Sequence, residues 1–430
     1  MPHIFNMINL NGFSSMRIFL TILFSMLLLS RGNAQNNNSP YSLLGIGDLE
    51  DGFVNRTSGL SSTGIAYRNS RSLITNNPAS LSALDNQWFA GEIGIRGKYI
   101  QYSGDPVSST NSTSTDITFK RFTIGTKLFK HWGSAIGIAP YSTENYEYTG
   151  TKPLGTGGNL IPSYNEGYGG INKVFWANGY DFFNHLSIGI TSSYLFGAIN
   201  TKNVIQGAPG SAIYISKNDR TFYSNFYFDY GIQYYTAINK HWDISLGLVY
   251  ANEGWLNSDH EITILDIDSV AIRSKRDVGT FTIPASYGAG ITVTRNKKYT
   301  FLADYRFQNW GSLRSNTTDF LYENSQRASV GFEISNKKTA YNTRFETSFI
   351  QAGLYYNKSY MVVNGKPIED MGVTAGFGIN AKRSALNLNV SLQYGIRGTT
   401  ENNLIKENYF GASFIFSYRD FWFTKGRKFE

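Results

Sequence analysis

The stretch ALNLNVSLQYGIR, Ala385–Arg397, reads as one long strand with two unlike faces. Leu386, Leu388, Val390, Leu392, Tyr394 and Ile396 fall on one side; Asn387, Asn389, Ser391, Gln393 and Arg397 fall on the other. A period of two places successive side chains on opposite faces of a β-strand. Here one face is wholly apolar and the other carries amides and hydroxyls, as in a wall between lipid and a wet lumen.

The pattern repeats along the chain. In YTFLADYRFQNW (299–310), Tyr299, Phe301, Ala303, Tyr305 and Phe307 alternate with Thr300, Asp304, Arg306 and Gln308. MGVTAGFGIN (371–380) and YFGASFIFSY (409–418) do the same. The runs often reach ten or more residues, against about 5–6 in globular sheets and about 9–11 for crossing a bilayer. Aromatic residues gather at run ends, at Trp88-Phe89, Phe182-Phe183, Trp310 and Phe421-Trp422-Phe423, which suits interfacial girdles.

The connections separate a membrane barrel from a soluble sandwich. KHW (130–132), FNH (183–185), NKH (239–241), NKK (296–298) and AKRS (381–384) are tight; 103–114, 142–168, 197–220 and 251–277 are long and polar. Short turns on one rim and long loops on the other predict an all-β, transmembrane antiparallel β-barrel of about fourteen strands. A closed barrel leaves no backbone group unpaired in lipid. The barrel is expected over 87–430, with both termini periplasmic in the outer membrane of a Gram-negative bacterium.

Composition agrees. Aromatics are 15%, glycines number 43 and charged residues are only 16%, while the mean hydropathy is −0.27. The net charge of +8 is scattered apart from KGRK at 425–428, so a clustered nucleic-acid stripe is excluded. No cysteine is present, which excludes a disulfide framework, thiol chemistry and a lipid-acceptor thiol. MRIFLTILFSMLLLSRGNA (16–34) has Arg17, an apolar run Ile18–Leu29 and a small-residue step before Gln35. Residues 1–34 therefore read as a secretory signal peptide, with Met16 an alternative start.

Few motifs carry chemistry. LFKHWGSAIGI, FFNHLSIGI and INKHWDISLGL place His131, His185 and His241 at tight turns, without metal-ligand spacing. GIGDLEDG (45–52) lacks the spacing of a phosphate loop; its Asp48, Glu50 and Asp51 leave a calcium option without EF-hand order. No nucleophile elbow or HExxH motif occurs, so no enzyme, catalytic residue, metal site or cofactor is expected. Asp304, Arg306, Gln308, Asn387, Asn389 and Gln393 are expected to line the lumen. Pro284, inside FTIPASYGAGITVT (281–294), marks a bulge, kink or local break: a barrel corner, or a lateral gap or constriction.

ITNNPASLSALDN (74–86) precedes the first alternating run. Asn77 is biased to extended backbone before Pro78, Pro78 suits the first turn of a short helix, and Ala79, Leu81 and Leu84 are its packing residues. Residues 35–86 are expected to form a plug inside or beneath the barrel.

The segment holding Asn77-Pro78-Ala79, the strand series, and Pro284 with Gly290 in IPASYGAGI (283–291) together resemble the long-chain fatty acid transporter (FadL-like) outer-membrane barrel family. SPYSLLGIGDL (39–49), GLSSTGIAY (59–67) and the basic end after Trp422 resemble its Bacteroidota members. The resemblance implies a plugged fourteen-stranded barrel for passive uptake of small hydrophobic molecules, with outer-membrane lipid around it. An alternative within that lineage is a non-transporting accessory subunit of a larger outer-membrane machine, in protein secretion or barrel assembly, docking other outer-membrane proteins through its loops. A soluble secreted β-protein is the third reading.

Overall fold

The structure, a computed structural model, describes residues 39–421 apart from 51, 87, 106, 108–111, 155–158, 184, 208–213, 267–270, 314–319, 341–342 and 381–385. The expected signal peptide, Asp51, Trp422 and the KGRK end lie outside the described residues. The described residues begin inside the barrel with three 3-10 helices, Pro40–Leu43, Arg56–Leu60 and Pro78–Ala83, and a short strand β1 (Asp48–Leu49). The wall follows as β2 (Trp88–Ser103), β3 (Thr113–Phe129), β4 (Trp132–Leu154), β5 (Asn159–Phe182), β6 (Leu186–Gln206) and β7 (Tyr214–Ala237). Next come β8 (Trp242–Ala251), β9 (Gly254–Leu265), β10 (Ala271–Ile283), β11 (Ser286–Arg295), β12 (Tyr299–Gln308) and β13 (Phe320–Tyr322). The last five are β14 (Ser325–Ala340), β15 (Thr343–Val363), β16 (Lys366–Asn380), β17 (Leu386–Arg397) and β18 (Lys406–Phe421).

Strands β8 and β9 are two halves of one stave, as are β10 and β11, and the wall counts fourteen staves. All neighbours are antiparallel, and β18 closes on β2 from Lys406↔Ser103 to Phe421↔Trp88. Outward positions are apolar and exposed, such as Ile136, Leu248, Phe301 and Val373. Inward positions of the same strands are small or polar and buried, such as Ala135, Ser245, Thr300 and Thr374. No helix of the described residues is long and apolar enough to cross a membrane.

Three stretches expected as loops are instead strand. Their described residues, 142–154 and 159–168, 197–206 and 214–220, and 254–265 and 271–277, continue the hairpins, with pairs such as Leu154↔Asn159, Gln206↔Tyr214 and Ala271↔Leu265. In these extensions the buried face carries polar residues such as Glu144, Ser163, Asn165 and Ser216, so the apolar alternation that marks a strand fades while the ladder persists. The extensions of β4, β5, β6, β7, β9 and β10 form one six-stranded wing beyond the barrel. Among the described residues no strand pairs with the outer edge of β10, because β12 ends at Gln308 and β13 pairs with β15.

Trp310 is not a girdle residue. It is fully buried at the wing end of the lumen and stacks on Tyr360 with ring centroids 4.3 Å apart. It opens a 3-10 helix, Trp310–Ser312, that ends the stave. The histidine turns have a backbone role: the carbonyls of His131, His185 and His241 accept the N–H groups of Asp181, Tyr235 and Asn296 at 2.9, 2.9 and 2.6 Å. Each turn is thereby tied to the next hairpin along the rim.

Candidate functional site

The lumen is the candidate site, and its occupant is the chain's own N-terminal segment. Small inward residues let that segment touch the wall. A Cβ added at Gly133 would lie 1.9 Å from the Leu81 carbonyl oxygen; at Gly189, 2.4 Å from the Ala79 nitrogen. At Gly231 it would lie 2.0 Å from the Asn77 side-chain oxygen, and at Gly353, 2.6 Å from the Leu60 carbonyl carbon. The barrel therefore has a belt of inward glycines on which plug backbone rests directly. Leu60, Leu73 and Leu81 are each at most 1% exposed, worth about 1.5–3 kcal/mol apiece.

Asn77 and Pro78 shape the helix at the short-turn end. The Asn77 side-chain oxygen accepts the Ala79 N–H at 3.0 Å as an N-cap, and Pro78 occupies the first turn. Its amide nitrogen donates to the carbonyls of Ile65, Ile232 and Leu248 at 2.9, 3.1 and 3.2 Å, two of them on the wall. One side chain thus starts the helix and bridges it to β7 and β8. Ala79, Leu81 and Leu84 are all buried, and Leu81 and Leu84 pack with Leu73 and Phe175.

Charge fixes the middle of the plug. Arg56 donates to Glu346 at 2.7 Å and to Glu333 at 2.8 Å, and its guanidinium lies 3.8 Å from the centre of the Phe349 ring. Tyr67 accepts from the same guanidinium at 3.0 Å and donates to Glu333 at 2.8 Å. Burial alone would lower the Arg56 pKa, but the Glu333 and Glu346 charges hold it well above its ordinary value. Burial drives the Tyr67 hydroxyl well above its ordinary pKa, so it stays protonated as a donor.

Asp304 holds the next turn of chain, accepting the N–H groups of Gly64 at 2.6 Å and Ile65 at 2.9 Å. Arg306 reaches the Asn76 carbonyl at 3.2 Å and lies over the Phe53 ring at 5.2 Å. Gln308 donates to the Pro284 carbonyl at 3.3 Å, away from the plug. Gln393 donates to the Tyr355 hydroxyl at 2.9 Å. Asn389 is buried against the Gly378 position, and Asn387 is half-buried opposite Asn380 and Ser417. The six expected lumen residues are thus split: Asp304 and Arg306 grip the plug, Gln308 and Gln393 bond to the wall, and Asn387 and Asn389 stand at inward positions of β17.

Pro284 and Gly290 have separate surroundings. Pro284-Ala285 interrupts the stave between β10 and β11 opposite Asn252-Glu253, so two adjacent staves break at one level. A Cβ at Gly290 would meet the Asp304 carboxylate at 2.2 Å and Ile65 at 2.9 Å. The acidic run read for calcium is neutralised within the protein: Asp48 accepts both Arg397 guanidinium nitrogens at 2.7 and 2.8 Å, and Glu50 pairs with Lys120. Burial would raise both carboxyls, yet Arg397 beside Asp48 and Lys120 beside Glu50 hold them below the usual carboxylate range.

Sequence reasoning missed Arg56, Glu333, Glu346 and the glycine belt. The belt left a signal, since inward alternate positions near the short turns are glycine in strand after strand. The Arg56 pairing left none, because its partners lie 277 and 290 residues away. Space remains around the plug at several levels, including an open pocket of about 740 Å³ at the short-turn mouth lined by Tyr67, Arg68, Glu333 and Glu346. One cavity of about 140 Å³ lies among Asp48, Arg96, Lys98, Arg327 and Arg397. A second of about 120 Å³ lies among Phe53, Arg121, Lys173, Asp229 and Arg306. An open pocket of about 980 Å³ at the wing end is lined by Tyr41, Leu44, Phe281, Phe320, Tyr322 and Leu404.

Comparisons place this arrangement among known proteins. A family model described as BamG matches residues 16–430. The Pseudomonas putida toluene transporter TodX is 15% identical, covering 88% of this chain and 100% of its own, with a TM-score of 0.56. A Pseudomonas aeruginosa FadL homologue is 12% identical with the same coverages and a TM-score of 0.57. The Ralstonia pickettii toluene transporter TbuX is 13% identical, covering 86% and 98%, with a TM-score of 0.54. These likenesses establish the fold, a closed antiparallel β-barrel of fourteen staves. No curated protein matches by sequence.

Proposed function

The chain belongs to the BamG family, and from that premise we propose that it is a permanently plugged accessory barrel that docks other outer-membrane proteins. The observation that carries the reading is the plug's attachment: Arg56 is paired with two wall carboxylates, Glu333 and Glu346, and all three side chains are buried. Opening such a lumen would require buried charges to separate in a low-dielectric interior.

Short turns belong on the periplasmic rim and long hairpins outside, so the six-stranded wing stands on the cell surface. It exposes Tyr148, Leu160, Phe222, Trp255 and Val278, and large aromatic side chains are favoured at protein contacts. Among the described residues its β10 edge has no strand partner, with Lys275 and Arg276 to limit unspecific pairing. Mild-detergent extraction from native membranes, followed by size analysis, tests the reading. Stoichiometric outer-membrane partners are expected; a lone barrel refutes it.

Uptake of small hydrophobic molecules is the second reading. It draws on the fold shared with toluene transporters and on the aromatic pocket of about 980 Å³, a size that suits a small ligand. Toluene and fatty-acid uptake that is lost on gene deletion would favour it over docking.

A further inference from the structure

We propose that one arc of the short-turn rim is a binding site for the phosphate headgroups of anionic phospholipids. The turns joining β7 to β8, β11 to β12 and β14 to β15 are neighbours, because β8 pairs with β11 and β12 with β14. They bring Lys240, Arg295, Lys298 and Lys338 onto one stretch of rim, while Lys297 and Lys337 line the inner mouth. The nearby acids are used or turned away: Glu333 and Glu346 point inward to Arg56, and Asp243 lines the inner mouth. Among the described residues, no carboxylate stands on the outer face of these three turns. The rest of the described rim differs, with Lys130 at one turn and Asp181, Phe182 and Phe183 at the next.

The direction of these cations selects lipid over a soluble partner. Arg295 follows Ile291 and Val293 on the lipid-facing side of β11, and its guanidinium lies 5.4 Å from the centre of the Trp242 ring. The Lys298 ammonium lies 5.1 Å from the centre of the Tyr299 ring. Trp and Tyr at a run end sit at headgroup depth, and a cation held over such a ring stays there. The turn is held from inside: His241 Nδ1 and the Asn296 side-chain oxygen are 2.8 Å apart, and Lys297 stands exposed beside them. A rigid pair of girdle-stacked cations flanked by exposed lysines matches a phosphate at the membrane surface. An acidic protein approaching along the barrel axis would not meet the ring-stacked groups.

Native mass spectrometry of the full-length barrel, released from nanodiscs with equal phosphatidylglycerol and phosphatidylcholine, tests this. The protein is expected to retain phosphatidylglycerol preferentially at low salt, and 10 mM inorganic phosphate should not displace it. Each cation removed should weaken the preference roughly fivefold, so R295Q/K298Q should lose roughly twenty-five-fold. K130Q, outside the arc, should keep the preference, and heat-modifiable gel mobility verifies folding of all three proteins. Equal retention of both lipids, an unchanged R295Q/K298Q, an equal loss in K130Q, or displacement by inorganic phosphate overturns the proposal. Binding of polyglutamate without lipid preference overturns it too, and assigns the arc to an acidic protein.

Discussion

Replacing Arg56 by methionine removes the charge at the centre of the plug while keeping an unbranched apolar stem. Two carboxylates, Glu333 and Glu346, then face each other beside Tyr67 with their cation gone. All three ionic side chains are nearly dry, at 1%, 3% and 9% exposure, so solvent screens little of the loss. Breaking a buried pair by removing one partner costs about 3–5 kcal/mol, which corresponds to roughly 10²–10⁴-fold in a local opening equilibrium. Hydrogen exchange reads it directly at the Ser58 and Thr63 amides, which bond within the plug to Asn55 and Leu60 carbonyls. Both should exchange faster by that factor, while barrel-strand amides keep their protection. The triple variant R56M/E333Q/E346Q should recover most of the protection, since no charge is left unpaired. Exchange in R56M within about fivefold of the parent would refute the claim that this network anchors the plug.

Further outcomes follow from the same contacts. N77D keeps an N-cap acceptor but cannot donate to Ile65, Ile232 and Leu248; it should destabilise plug docking more than N77A, by about 1–3 kcal/mol, read as protease cleavage within 39–86. G133A should displace the helix over Leu81, whereas G91A, with open space at its Cβ, should leave cleavage unchanged. Asp48 and Glu50 have depressed folded values, so their stabilisation is complete above the ordinary carboxylate range. It is lost as pH falls through those depressed values, and acid titration should loosen residues 46–50 before the wall opens.

The wall was legible because a bilayer and a wet lumen impose opposite demands on alternate residues. Leu386 to Ile396 and Tyr299 to Phe307 carry that pattern without interruption, and tight turns such as Asn296–Lys298 punctuate it. The wing was not, since Tyr148, Thr149 and Lys152 meet water on a strand much as they would in a loop. Asn77-Pro78 announced a short helix through local backbone chemistry. Arg56, held by partners on β14 and β15, gave no local sign. Gly133, Gly189 and Gly231 were visible as glycines on the polar face, but their meaning depends on a plug backbone pressed against them.

A plug that never leaves is the centre of the account, and locking it is the direct test. The chain has no cysteine, so S61C/T374C introduces a single pair where the two side-chain oxygens now lie 2.9 Å apart. The oxidised protein ties the plug to β16. It should complement a deletion strain and retain the same co-extracted partners as the reduced protein. Loss of complementation on oxidation, restored by reductant, would mean that the plug moves and would contradict the account.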